Sequence, residues 1–375
     1  MNNDICKMFG CEFPLFAFSH CRDVVAAVSR AGGFGVLGGS SFSPESLEEE
    51  LAWIDAHTEG KPYGIDILIP ENMGDLVGDL TTDQLQAMIP APHRQFTIDL
   101  LAQYGVEFSD QDINESEFTD TVVGDIGQQL MDVAFRHPIR MIANALGIAP
   151  QSMIERAKAH NVPVGALVGA KEHAIRQVDA GVDFLVAQGT EAAGHCGEVS
   201  TLVLVPEVIE AIKEVRSVPV LAAGGIMNGR QMAGCMAMGA QGAWTGSIWL
   251  ATPEAETSEA MREKFIAATS RGTIRSTSRS GKPSRQLRSA WHDAWHGEES
   301  PDTLPLPLQG VLAQPAFAKI DRAVESGNVE AKDLASYWVG QGVGLIDSVR
   351  SSGNVVQGFK EEFGEAVMSL NALLE

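Results

Sequence analysis

A single histidine stands in the stretch from Phe184 to Gly197, FLVAQGTEAAGHCG, among residues too small to crowd it. His195 is the one side chain of that loop that exchanges a proton near neutral pH. Around it Gly189, Ala192, Ala193, Gly194 and Gly197 would let a flat ligand reach the backbone, and glycine tolerates the dihedrals such a turn needs. The plain alternative is a glycine-rich turn carrying an incidental surface histidine.

Two later segments favour the chemical reading. Ala222-Ala223-Gly224-Gly225-Ile226 leads into a helix expected to start near Asn228, and Trp244-Thr245-Gly246-Ser247 follows some twenty residues on. Bare backbone N–H groups at helix starts bind phosphate well. Either segment alone reads as tight packing; the pair in register reads as a phosphate site.

Other candidates are weaker. Cys196 adjoins His195, but neighbours on an extended chain point apart. His292 and His296 lie four apart in WHDAWHGE with Asp293 between them, a spacing that holds a metal on a helix when a third ligand exists. With none evident, a helix anchored inward by Trp291 and Trp295 is expected and no metal is assigned. Residues 271–288 carry Arg271, Arg275, Arg279, Lys282, Arg285 and Arg288 without an acid. This segment reads either as a phosphate- or pyrophosphate-binding surface or as a solvated loop.

The elements that must hold these residues alternate. Short apolar strands are expected at 13–18, 34–38, 63–69, 140–145, 162–168, 184–187, 218–223 and 242–247. Helices fall between most of them: 19–33 capped by Ser19, 44–57 opened by Ser43-Pro44, 150–160, 171–180, one opened by Pro206 and one capped by Asn228. Eight strands with intervening helices give an α/β fold, a (β/α)₈ barrel, whose active site lies where the strands end. An open doubly wound sheet is the alternative, but no GxGxxG follows the first strand. Residues 1–70 and 136–250 are assigned to the barrel. Residues 71–135 are an acidic insertion after strand three, read as a lid or a solvated helical excursion. Residues 251–375 are read as a helical C-terminal extension packed on the barrel.

Composition bounds the function. The formal net charge of −22 disfavours nucleic acid and anionic membranes as partners. Within 71–135 thirteen Asp and Glu stand against one Arg. No apolar run reaches membrane-spanning length, and the start shows no secretory leader. Five cysteines without a CxxC pair argue for reduced thiols in the cytoplasm.

The segments FPLFAFSHCRDVVAAVSRAGGFGVLGG, AQGTEAAGHCG and PVLAAGGIMNGRQMAGCMAMGAQGAWTGSIWL resemble the nitronate monooxygenase (2-nitropropane dioxygenase) family. These are FMN-dependent barrel flavoproteins related to the flavin-type enoyl-acyl-carrier-protein reductases. The resemblance covers most of 10–70 and 140–250, with echoes in SGKPSRQLRS and GQGVGLI. It implies that His195 is the active-site histidine facing the flavin. It implies that Gln188, Gly189 and Gly194 line the cofactor, that Ala223, Gly224 and Gly225 form the first phosphate loop and Gly246 and Ser247 the second, and that Gln341 approaches the cofactor. Ala193 stands where the family usually has Gly, and Phe18-Ser19-His20 stands where many relatives have a Pro-Met pair. Two activities are implied. One is oxidation of alkyl nitronates by O₂, with His195 as general base or orienting group. The other is an NAD(P)H-dependent reduction of a CoA or ACP thioester or a quinone. A homodimer is compatible with either.

Overall fold

The computed structural model describes residues 1, 3–69, 80–116 and 126–374. Eight parallel strands close into a barrel in chain order. They are β1 (Leu15–Ser19), β2 (Phe34–Gly38), β3 (Tyr63–Asp66), β4 (Ile142–Asn144), β5 (Val164–Val168), β6 (Phe184–Gln188), β7 (Val220–Ala223) and β8 (Gly242–Thr245). β1 closes the ring by pairing with both β2 and β8.

Side chains alternate along each strand, so one set fills the barrel and the other meets the helices. Phe16, Phe34, Val36, Met141, Phe184, Val186, Leu221 and Trp244 pack inside. By the same alternation Gly38, Asp66, Gln188 and Ala223 face inward at the C-terminal ends of their strands, around the barrel mouth. The other end is plugged by the helix Asp4–Phe9, capped at its start by the side chain of Asn3. Phe9 packs at 5.1–5.4 Å, centroid to centroid, on Phe16, Phe34 and Phe184. Burying one such ring contributes about 1.5–3 kcal/mol, so the floor of the barrel is a closed apolar layer.

Several sequence-based boundaries move. The helix expected at 19–33 runs Arg22–Arg30 with Cys21 at its N-cap. Ser19 belongs to β1, and its hydroxyl accepts from the N–H of Cys21 at 3.1 Å. Pro206 lies inside the helix Thr201–Ile212. Proline removes its own N–H bond and crowds the carbonyl four residues back, and that residue, Leu202, is exposed, so water can reach the freed carbonyl. After β8 the chain turns at once into the 3₁₀ segment Ser247–Ala251.

The region beyond 250 is not purely helical. β9 (Thr273–Ser276) and β10 (Ser284–Leu287) form an antiparallel pair within the basic segment. Its pattern is polar because the pair buries hydrogen-bonding side chains such as Ser284, Arg285 and Gln286. The long helix Ser352–Asn371 lies against the helix Gly229–Ala237, with the Phe359 carbonyl 2.2 Å from where a Cβ on Gly229 would stand.

The segment assigned to an insertion divides. The helix Ile126–Ala134 packs on Pro44–His57 in the ordinary position before β4. The helices Thr82–Ala87, Ala91–Gln103 and Asp110–Asn114 contact Leu308–Glu325. Lys319 pairs with Asp112 at 2.7 Å, and Asn328 donates to the carbonyls of Tyr104 and Gly105 at 3.1 and 3.0 Å. Parts of the segment read as a lid, 71–79 and 117–125, lie outside the described residues.

Candidate functional site

The loops after β6, β7 and β8 meet at one edge of the mouth, and the hairpin β9–β10 fixes the first of them. Gly194 and Arg285 exchange backbone hydrogen bonds, at 3.0 Å to the Arg285 carbonyl and 2.8 Å to the Gly194 carbonyl. The Arg285 guanidinium is buried, and it donates through Nε to Thr190 O at 2.8 Å and through Nη1 to Thr273 Oγ1 at 3.1 Å. Gly194 has φ +68°, the left-handed region that glycine enters freely.

His195 follows, half-buried. Its Nδ1 lies 3.2 Å from the Pro283 carbonyl. A carbonyl only accepts, so Nδ1 carries the proton and Nε2 keeps the lone pair. Burial lowers the imidazole pKa; the Pro283 carbonyl opposes this, and the charge of Lys282 adds to it. The ring is therefore neutral at pH 7. Cys196 turns inward and donates to Thr190 O at 3.5 Å, with its thiol pKa raised by burial.

Beneath this loop Thr201 is a hub. Its hydroxyl lies 2.8 Å from the Glu191 carboxylate and 3.2 Å from the carbonyls of both Ala223 and Gly224, and its N–H donates to Glu191. This crowding explains two glycines. A Cβ at Gly189 would sit 2.2 Å from Thr201 Oγ1, and one at Gly224 would sit 2.5 Å from it. Gly246 is the opposite case: no atom of the described residues lies within 4 Å of an added Cβ. The amides of Gly225, Gly246 and Ser247 donate to no protein acceptor among the described residues. Ser247 Oγ accepts from Gly340 at 2.9 Å, and the Gln341 N–H donates to Glu191 O at 2.9 Å. Gln188 donates to Ala193 O at 3.4 Å.

The expected site residues come together: Gln188, Gly189, Gly194, His195, Ala223, Gly224, Gly225, Gly246 and Ser247 lie on the ends of β6 and β7 and the three adjacent loops, and Gln341, at the start of the 3₁₀ segment Gln341–Leu345, bonds to the first of them. Sequence reasoning missed Glu191, Thr201 and the role of Arg285, whose partners are distant in the chain. It also missed the inward-facing Asp66 across the mouth, and it named His20 without a role. Asp66 is 3% exposed, one carboxylate oxygen has no partner among the described residues, and burial raises its pKa to about 7. His20 follows β1 and faces the mouth.

The basic segment is neither a free phosphate-binding surface nor a solvated loop. Arg279 is buried between Phe317 and Trp338, with its guanidinium carbon 4.0 and 3.9 Å from their ring centroids, and it donates to Ser336 O at 3.0 Å. Arg275 pairs with Glu198 at 3.0 Å and Arg288 with Asp293 at 2.8 Å. Arg271 and Lys282 have no ion pair among the described residues. His292 is fully buried between Ser289 and Gln286, with its pKa pushed down to about 3 by burial first and the charge of Arg279 next. His296 meets Ser276 Oγ at 3.1 Å. Trp291 and Trp295 are both buried, as their spacing implied.

No helix among the described residues is long and apolar enough to cross a membrane. Residues 14–362 match the nitronate monooxygenase family. The chain is 49% identical, over its whole length and that of the relative, to a Mycobacterium tuberculosis protein named "Putative monooxygenase Rv1533". It is 27% identical to a "Probable nitronate monooxygenase" of Staphylococcus aureus, covering 90% of this chain and 91% of that one. Two solved structures share the fold at 23% identity. Nitroalkane oxidase from Streptomyces ansochromogenes has a TM-score of 0.78 over 98% of this chain and 100% of that one. FabK from Thermotoga maritima has 0.72 over 100% and 99%. With the family match spanning the whole barrel and the loops that surround His195, the chain belongs to the nitronate monooxygenase family and is an oxidoreductase.

Proposed function

We propose that this protein is an FMN-dependent nitronate monooxygenase that oxidises alkyl nitronates with O₂. The observation that carries the reading is a neutral imidazole of fixed tautomer set beside a glycine cradle with unspent amides. The cradle fits a phosphate. Gly225, Gly246 and Ser247 would donate to it, and the space over Gly246 admits it. Gln188 and Gly189 would line the ring system, with Gln341 behind them. Bound FMN would supply the electron transfer with substrate and O₂.

The chain supplies the rest. His195 Nε2 accepts a proton or orients the substrate, and a positioned base contributes about 10²- to 10⁴-fold. Lys282 beside it favours an anion. Within the segment 71–135, read as a cover for the mouth, the helices Thr82–Ala87, Ala91–Gln103 and Asp110–Asn114 are anchored to Leu308–Glu325. The five free thiols fit a cytoplasmic setting.

The test is anaerobic. The flavin-loaded protein is mixed with an alkyl nitronate, NADH or NADPH while absorbance is followed between about 350 and 500 nm. Bleaching or a semiquinone spectrum with nitronate alone supports the reading, and no change with nitronate overturns it. Bleaching with NAD(P)H alone would instead favour a reductase of thioesters or quinones. Of the basic segment that motivates this second reading, Arg279 and Arg285 are buried in the fold, while Arg275 and Arg288 pair with exposed carboxylates.

A further inference from the structure

The glycine cradle is held from behind by a side chain that no motif singles out. Gln231 lies half-buried in the first turn of the helix Gly229–Ala237. Its Nε2 donates to the Gly225 carbonyl at 2.8 Å, and its Oε1 accepts from the Met227 N–H at 2.8 Å. A carbonyl only accepts and an N–H only donates, so the side-chain amide has one orientation. The two bonds close a ring over the turn 225–227, much as the backbone of a neighbouring strand would. Gln231 is itself placed by its own N–H, which donates to Asn228 Oδ1 at 2.9 Å.

This turn needs a clamp. Gly224 and Gly225 have φ of +116° and +68°, and glycine loses more conformational freedom on ordering than any other residue. The start of the helix is already spent. Asn228 caps it, and the Gly229 N–H donates to the Glu362 carboxylate at 3.2 Å. A phosphate arriving there would meet a negative charge, so its binding falls to the loop amides, that of Gly225 among them. On its other side the turn is packed by Gly342, where a Cβ would come within 2.5 Å of Met227 Cγ.

We propose that Gln231 is a positioning residue for the cofactor, whose side-chain amide fixes the turn 225–227 so that the Gly225 N–H stands ready for the phosphate of FMN. The inference rests on the FMN reading. Gln231 acts through Gly225, and each of its two polar atoms is engaged by the turn. Holding the amide in place before the ligand arrives removes an ordering cost from binding.

Gln231→Met tests this, since it keeps the length of the side chain and removes both bonds. Flavin-free wild type and variant are titrated with FMN and with riboflavin, which lacks the phosphate, by the quenching of flavin fluorescence. The Kd for FMN should rise about tenfold or more while that for riboflavin stays within about twofold. The phosphorus NMR resonance of bound FMN should shift, because the amide beside the phosphate has turned. If Gln231→Met does not fold, Gln231→Glu, which keeps the acceptor for the Met227 N–H and loses the donor for the Gly225 carbonyl, is read in the same way. An unchanged Kd for FMN overturns the proposal, as does equal weakening of both flavins, which marks a general loss of structure. Where riboflavin binds neither protein, an unshifted phosphorus resonance overturns it and a shifted one supports it. A wild type that binds no FMN overturns the FMN reading together with the proposal.

Discussion

His195 Nδ1 donates to the Pro283 carbonyl across 3.2 Å, so a hairpin eighty-eight residues downstream sets the tautomer of the histidine in the β6 loop. Because burial lowers this imidazole's pKa, it stays neutral below the usual imidazole range. A neutral base loses activity only as pH falls through its pKa. With a neutral nitroalkane, which has an α-proton to give, the acid limb of kcat/KM should therefore lie below pH ~6.5, and His195→Asn should cost about 10²-fold or more. A pH–rate profile and steady-state kinetics of the variant check both.

Arg285 should matter through the loop it holds. Arg285→Ala leaves the Thr273 hydroxyl without this donor and the Thr190 carbonyl with only the weak Cys196 thiol, at a cost of about 1–3 kcal/mol. Arg285→Lys should recover little, since an ammonium lacks the guanidinium fork. Urea denaturation gives the cost, and hydrogen exchange at the Gly194 amide should show lost protection.

Gly224 and Gly246 should respond differently to the same methyl group. Gly224 has φ +116° and a hydroxyl 2.5 Å from the added Cβ, so Gly224→Ala should destabilise the flavin-free protein by more than about 1 kcal/mol. Gly246→Ala meets no protein atom and should leave that stability within about 0.5 kcal/mol. It should nonetheless weaken FMN binding about tenfold or more, because the methyl enters the space over the amides. Thermal melts without flavin, followed by FMN titration, separate the two.

Asp66 should make stability depend on pH. Its folded pKa of about 7 lies above its ordinary 3.8. Between those values the folded chain keeps a proton that the unfolded chain has released, so stability falls as pH rises from about 4 to about 7 and then levels. The fall is on the order of 4 kcal/mol. Asp66→Asn should flatten it, measured by urea unfolding of flavin-free protein at pH 5 and pH 8.

Arg279 should prove structural. Arg279→Ala removes a cation held between two rings and opens a cavity, so a loss of a few kcal/mol is expected. Melting temperature should drop, while KM for any phosphate-bearing substrate should stay within about twofold, unlike a site arginine.

Much of the barrel is legible in the chain. Strands buried on both faces are short apolar runs, and the helices between them carry their own stop and start residues, such as Asn228 capping Gly229–Ala237. The same locality exposes the His195 loop and the two glycine segments. The helix at Arg22 and the run through Pro206 were misplaced because a capping oxygen and a tolerated proline depend on neighbours that local pattern does not name.

What only the tertiary structure decided is which charges are spent and which remain. Six cations within residues 271–288 look alike in sequence, yet Arg279 ends between aromatic rings, Arg285 under the His195 loop, and Lys282 at the site's edge. Gly38 and Asp66 lie twenty-eight residues apart, and they stand side by side at the mouth because β2 and β3 pair in that register. The chain's periodicity determined the barrel and the glycine cradle, since backbone geometry answers to nearby residues. The charge and protonation of the site were determined by burial and by long-range partners, which exist only once the barrel closes.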